Sequence, residues 1–192
     1  ATDVDGDAVT FTAVSSDTDN VSTDISGSLL TLTPSLNFNG SVTISVTAND
    51  GTEDSNIETF TLTVSPVNDA PVLSAIADTT TQEEVAVDII LSAADVDDGD
   101  ILTYSASSDN ENVTPEVSGN LLTLTPALNF NGLATISVTA NDGTEDSNTE
   151  TFVLTVSAVN DAPVMVAITD TTTQEEVALQ IIMSATDVDG DP

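Results

Sequence analysis

Apolar residues fall at every second position through much of this chain. Val85, Val87, Ile89 and Leu91 share one face of an extended segment, with Ala86, Asp88 and Ser92 on the other. Val177, Leu179, Ile181 and Met183 repeat the pattern. Val42, Ile44, Val46 and Ala48 alternate with Thr and Ser, as do Ile136, Val138 and Ala140. Phe152, Leu154 and Val156 alternate with Val153, Thr155 and Ser157. A period of two places successive side chains on opposite faces of a strand, and Val, Ile and Thr suit a half-buried pleated surface. No stretch sustains the period of a helix. The pattern predicts strands over about 72–77, 85–92, 101–106, 113–117, 120–125, 133–140 and 150–158. Short strands at this spacing, with no helices between them, indicate an antiparallel two-sheet sandwich. Phe38 and Phe130 sit in matching Asn-Phe-Asn-Gly turns and are expected to plug sandwich corners rather than meet a ligand.

The alternation is itself repeated. Asn68-Asp69-Ala70-Pro71 recurs as Asn160-Asp161-Ala162-Pro163, and Leu29 to Pro34 as Leu121 to Pro126, both at an offset of 92 residues. An acidic motif begins at Asp3, Asp95 and Asp187; its middle copy carries an extra Asp98, and a one-residue deletion near Ala106 restores the register. Such a near-identical period marks a tandem array. The expected boundaries are a complete repeat at 69–160, an incomplete repeat at 1–68 without its first strands, and the first strands of a further repeat at 161–192. Ala185–Asp191 reads the same as Ala1–Asp7. Two origins fit these ends. One is a piece cut from a long array. The other is a filament subunit in which the last strands of one chain complete the open first domain of the next. Pro71 and Pro163 stiffen the short connectors.

Charge narrows the function. The 192 residues include 33 Asp and Glu and no Lys, Arg or His. No side chain can neutralise a phosphate, so nucleic-acid partners and anionic lipid surfaces are excluded. Chemistry that needs a His base, a Lys Schiff base or a Cys nucleophile is excluded too, because none of these residues is present. No apolar run approaches the ~20 residues of a membrane-spanning helix, and membrane insertion is not expected.

The acids cluster. Asp95, Asp97, Asp98 and Asp100 surround Gly99, and the related groups are Asp3, Asp5, Asp7 and Asp187, Asp189, Asp191. Glu83 and Glu84 form a second group, copied as Glu175 and Glu176. The connector pairs Asn68, Asp69 and Asn160, Asp161 form a third, and Asp50 and Asp142, each before a Gly at a strand end, a fourth. If the chain enters and leaves each sandwich at opposite poles, these groups converge on the junctions between repeats. Crowded carboxylates repel, and a hard cation relieves the repulsion. Ca2+, which takes 6–8 oxygen ligands, suits such loops better than Mg2+, and without Cys or His zinc and copper are poor candidates. As ordinary turn formers, Asp, Asn and Gly would also occur here without any ion. That bland reading suits Glu53, Asp54, Asp109, Glu111, Glu116, Glu145 and Glu150. It suits the Asp-x-Asp loops less well, because no basic residue in the chain screens them. Paired carboxylates also occur in glycosidases, but here every pair recurs with the repeat. With no Trp and one Tyr there is no platform for a sugar, so no enzyme activity is expected.

Taken together, Ala94-Asp95-Val96-Asp97-Asp98-Gly99-Asp100, Val138 to Gly143 and Val159-Asn160-Asp161-Ala162-Pro163 resemble the cadherin repeat signature. They are closer still to the bacterial cadherin-like and Ig-like tandem repeats of large secreted adhesins. The resemblance implies tandem seven-stranded Greek-key β-sandwiches, calcium at domain junctions, and an extracellular or cell-surface structural and adhesive role. Carried over by position, it assigns metal ligation to Glu84, Asn68, Asp69, Asp95, Asp97 and Asp142. The repeat extends the set to Asn160, Asp161, Asp187, Asp189, Asp3, Asp5 and Asp50. The connector lacks one Asn and the leading Asp of the fuller cadherin form. The Asp-Arg-Glu motif of animal cadherins is absent, and Asn129-Phe130-Asn131-Gly132 lies in that region. These departures imply fewer or more weakly held ions. The expected function is a calcium-stiffened rod or stalk of an adhesin or extracellular fibre. A strand-complemented filament and a carbohydrate- or protein-binding module are the alternatives. The expected partners are neighbouring repeats of the same or an identical chain, with a cell-surface or matrix ligand beyond them.

Overall fold

The structure, a computed structural model, describes residues 7–97 and 99–189. Asp3, Asp5, Asp98 and Asp191 therefore lie outside the described residues. The chain forms two compact units, Ala1–Asn68 and Asp69–Pro192. No helix occurs among the described residues.

In the first unit, strands β1 (Thr10–Ser15), β4 (Gly40–Asn49) and β5 (Glu58–Val64) form one sheet in the order β1-β4-β5. Strands β2 (Val21–Ser26) and β3 (Leu29–Pro34) form a two-stranded partner. Its buried core is small, built on Val21, Val42 and Ile44 with Phe38 and Leu62 packed around them.

The second unit is a fuller sandwich. Strands β6 (Val72–Leu73), β7 (Thr79–Gln82), β8 (Val87–Ile90) and β9 (Ala93–Ala94) come first. They precede β10 (Thr103–Ser108), β11 (Val113–Ser118), β12 (Leu121–Pro126), β13 (Gly132–Asn141) and β14 (Glu150–Ser157). One sheet runs β10-β13-β14-β7 and the other β11-β12-β8, with β6 and β9 paired beside them. Leu122, Leu124, Ile136, Val138, Phe152 and Leu154 project into one apolar layer with Leu73, Leu91 and Val113. Each fully buried aliphatic contributes about 1.5–3 kcal/mol of hydrophobic stabilisation. Next in the chain, β15 (Val164–Met165) forms a two-stranded antiparallel sheet with β16 (Ala185–Thr186).

The alternation placed most strands well, but the first differs. The strand expected over 72–77 ends at Leu73, and the chain then crosses to the other sheet, where Thr79–Gln82 runs parallel to β14. Thr79-Thr80-Thr81-Gln82 contains no apolar residue, so hydrophobic periodicity cannot reveal it. Val85 was expected to point inward with Val87. It is 50% exposed, because a turn closed by Val85 N–H on the Gln82 carbonyl precedes β8.

Phe130 packs against the second core as expected of a corner plug. Its ring also restricts Gly132, which has φ of 146° and where a Cβ would stand 3.4 Å from Phe130 Cζ. Gly132→Ala should therefore destabilise the unit by about 1–3 kcal/mol, the usual range for a forced backbone conformation. Gly119, also at positive φ (61°), has open space around its Cβ position, so it lacks the close ring contact that Gly132 has with Phe130. Chemical denaturation midpoints of Gly132→Ala and Gly119→Ala check the difference.

Candidate metal centre

At the end of β9 the chain leaves the sheet and turns at once, which sets Asp95, Asp97 and Asp100 close together. The loop is closed by its own side chains. Asp97 N–H donates to Asp95 Oδ1 at 2.9 Å, an Asx-type turn, and Asp69 N–H donates to Asp97 Oδ2 at 2.7 Å. One carboxylate oxygen from each of Asp95, Asp97 and Asp100 lies within 4.8 Å of the others. Asp95 Oδ2 is buried and accepts no hydrogen bond. A buried carboxylate oxygen without a donor is unfavourable unless a cation supplies what hydrogen bonds do not.

Asp142 enters from the end of β13. It is buried, and its Oδ1 accepts the N–H groups of Thr144 at 2.6 Å and Glu145 at 2.7 Å. Its charge reaches the cluster: loss of hydration, then repulsion from Asp95, Asp142 and Asp97, hold the Asp100 carboxyl above the ordinary carboxylate range. Asp50, the repeat copy of Asp142, makes the same loop with Thr52 and Glu53 at 2.7 and 2.8 Å, and the N–H groups of Glu53 and Thr52 hold its carboxyl below that range. The Asp50 carboxylate thus closes its own loop, and the other metal candidates of this unit, Asp3 and Asp5, are not among the described residues. Asn68 is the last residue of the first unit.

The same geometry recurs one repeat later. Asp189 N–H donates to Asp187 Oδ1 at 2.9 Å, and Asp161 N–H to Asp189 Oδ2 at 2.6 Å. Asn160 Nδ2 donates to the Asp161 carbonyl at 2.9 Å. Glu84 joins this group from the turn before β8, where it adopts a left-handed φ of 64°. With its amide nitrogen facing them, Asn129 donates to Asp161 Oδ2 and Glu84 Oε1, each at 3.2 Å. A cleft of about 400 Å³ opens there, lined by Asn129, Asn131, Ala158, Val159, Asn160, Val188 and Asp189. Within the second unit the structure thus joins Glu84, Asp161 and Asp189 at one place and Asp69, Asp95, Asp97 and Asp142 at another.

Two features escaped the sequence. Glu83 is buried, and its Oε1 accepts the Val159 N–H while its own N–H donates to the Ser157 carbonyl at 3.0 Å. It fastens the start of the connector rather than facing a ligand. The signal was available, since of two adjacent glutamates in an extended chain only one can point outward. The second feature is a set of amide–acid pairs. Asn20 donates to Asp17, Asn49 to Asp54, Asn141 to Asp146 and Asn148 to Glu150, at 2.7–2.9 Å. In a chain with no basic side chain, Asn supplies the donors that Lys and Arg usually provide.

Residues 68–155 match the family model for a bacterial Ig domain, and residues 1–65 match that for a cadherin-like domain. Among solved structures, human mucin-like protocadherin EC1-2 is 22% identical, over 79% of this chain and 85% of its own, with a TM-score of 0.52. Human CDH23 EC21-23 is 16% identical over 94% of this chain and 69% of its own, with a TM-score of 0.53. At these identities the likeness shows the fold alone. No curated protein matches the sequence.

Proposed function

We propose that this chain of cadherin-like and bacterial Ig-like modules is a structural segment of an extracellular adhesive protein, stiffened by calcium where one repeat meets the next. The observation that carries this reading is the Asp95, Asp97 and Asp100 cluster, with Asp95 Oδ2 buried and without a donor in a chain that has no cationic side chain. The donor set is all oxygen, which fits Ca2+ and disfavours softer metals. Asp95, Asp97 and Asp100 would hold an ion, with Asp142 adding charge beside them. Asp187, Asp189, Asp161 and Glu84 would form the corresponding group at the following connector, supported by the repeated hydrogen bonds there. The ion supplies charge neutralisation and a fixed coordination geometry. The residues themselves tie each connector to the loop that follows it, through Asp69 N–H on Asp97 and Asp161 N–H on Asp189.

Extracellular calcium modules bind at about 0.1–1 mM. In 1 mM calcium, a dissociation constant of about 0.1 mM adds about 1.4 kcal/mol of stability. Chelation should therefore lower the melting temperature and increase bending between repeats, read by calorimetry and small-angle scattering, and equal magnesium should substitute poorly. Melting curves and scattering profiles that ignore both calcium and chelator would overturn the proposal.

A further inference from the structure

The connector that follows β14 is gripped at several points by its own unit. Glu83 supplies two of them: its N–H donates to the Ser157 carbonyl at 3.0 Å, and its Oε1 accepts the Val159 N–H. Two residues on, Asp161 N–H donates to Asp189 Oδ2 at 2.6 Å. A further grip comes from Asn129, whose amide nitrogen lies 3.2 Å from Asp161 Oδ2 and 3.2 Å from Glu84 Oε1. An amide nitrogen carries two hydrogens, so one Asn serves both acceptors at once. The two carboxylates therefore stand no farther apart than twice that distance. At such a separation they repel, and the donor between them is neutral.

The backbone holds Asn129 in that place. It lies in the turn between β12 and β13, where Phe130 N–H donates to the Ala127 carbonyl at 3.2 Å and the Phe130 ring packs against the core. Asn129 itself has a left-handed φ of 56°, a region Asn enters more readily than most side-chain-bearing residues. Glu84, at φ 64°, is left-handed too, and its side chain parts from that of the buried Glu83. Two adjacent glutamates thus reach the connector separately, one at Val159 and the other, through Asn129, at Asp161.

We propose that Asn129 is an ion-free latch: its amide stands between Glu84 and Asp161 in place of a cation and keeps the connector on its course when no calcium is bound. Once an ion neutralises Glu84 and Asp161, they no longer need the amide hydrogens, and a half-turn of the Asn129 side chain presents oxygen instead of nitrogen. That release rests on the calcium reading above; the latch itself does not. The device suits a chain without Lys, Arg or His, in which Asn49 already pairs with Asp54 and Asn141 with Asp146. Those pairs are local. Asn129 differs in bridging two acids that lie far apart in the sequence.

The test uses the full chain carrying Asn129→Gly or Asn129→Asp, with hydrogen exchange at the Asp161 amide as the readout. Glycine removes the side chain without straining a left-handed backbone, and aspartate keeps its shape but puts a third acid where the donor was. In chelator both variants should exchange about tenfold faster than the parent, the size of one hydrogen bond to a charged group, with aspartate the faster. Amides of β12, β13 and β14 should keep the parent's protection. In saturating calcium Asn129→Asp should return to within about twofold of the parent, since its oxygen can face the ion. Parent-like exchange of both variants in chelator overturns the latch. So does a loss of protection throughout β12–β14, which would make Asn129 a determinant of the fold. An aspartate variant that calcium does not restore overturns the release. If calcium leaves the parent unchanged while the variants differ in chelator, the latch stands and the calcium reading falls.

Discussion

Truncating Phe152 to alanine should destabilise the second unit by about 3–5 kcal/mol, while Phe60→Ala should cost the first unit about 1 kcal/mol. The two phenylalanines occupy the same position of the repeat, in β14 and β5, and face the same kind of neighbours. Ile136 stands opposite Phe152 as Ile44 stands opposite Phe60. What differs is the cover. β7 lies along β14 and β8 along β12, and the ring of Phe152 is 2% exposed within a continuous core. Among the described residues no strand lies on the outer edges of β3 and β5, and Phe60 is 44% exposed. A cavity needs walls on all sides, so removing a half-exposed ring leaves an indentation that water fills, not a void. Residue-resolved hydrogen exchange separates the two units, which a single denaturation curve does not. Equal losses in both units would contradict the difference in packing.

Much of this architecture was legible in the amino-acid order. Period-two alternation marked β12, β13 and β14 because each buries one face, and the recurrence of Asn-Asp-Ala-Pro tied the acidic loops to the connectors. The polar strand Thr79–Gln82 was not legible. Its place in the sheet comes from backbone hydrogen bonds to β14, to which its side chains contribute no hydrophobic signal. Val85 was misplaced for a related reason: the pattern continued past a turn that only the left-handed Glu84 reveals. At the acidic site, composition and spacing brought out Asp95 and Asp97. They could not show that Glu83 turns inward to Val159, or that Asn129 reaches both Glu84 and Asp161. Those contacts join residues 32 to 76 positions apart, and only the fold sets their distance.

Asp95→Asn should change stability in opposite directions with and without calcium. In chelator the substitution removes one charge from three clustered carboxylates. An asparagine at position 95 keeps an oxygen for the Asp97 N–H, and it puts an amide nitrogen where Oδ2 is buried without a donor. That nitrogen can donate to a neighbouring carboxylate, the arrangement the chain already uses at Asn141–Asp146 and Asn49–Asp54. The apo protein should therefore melt higher than the parent. With calcium the order reverses: losing a ligand charge should weaken binding at least about tenfold, enough to remove most of the stabilisation that 1 mM calcium confers. Acid should narrow the same gap in the parent chain. The Asp100 carboxyl is held above its ordinary range in the folded state, by loss of hydration and by Asp95, Asp142 and Asp97. A raised carboxyl stabilises the apo fold fully below its unfolded value, and that contribution is lost as pH rises through its folded value. Over that interval protons compete with calcium for the same oxygens, so calcium affinity should fall as pH is lowered through it. Asp50 has the opposite sign, because its depressed carboxyl stabilises the fold above the ordinary range and fails only as pH falls through its lowered value. Calorimetric melts of the parent and Asp95→Asn, each with calcium and with chelator across that interval, separate these effects. An apo variant less stable than the parent would mean that Asp95 serves the fold rather than an ion, and calcium affinity left intact would place the ion elsewhere.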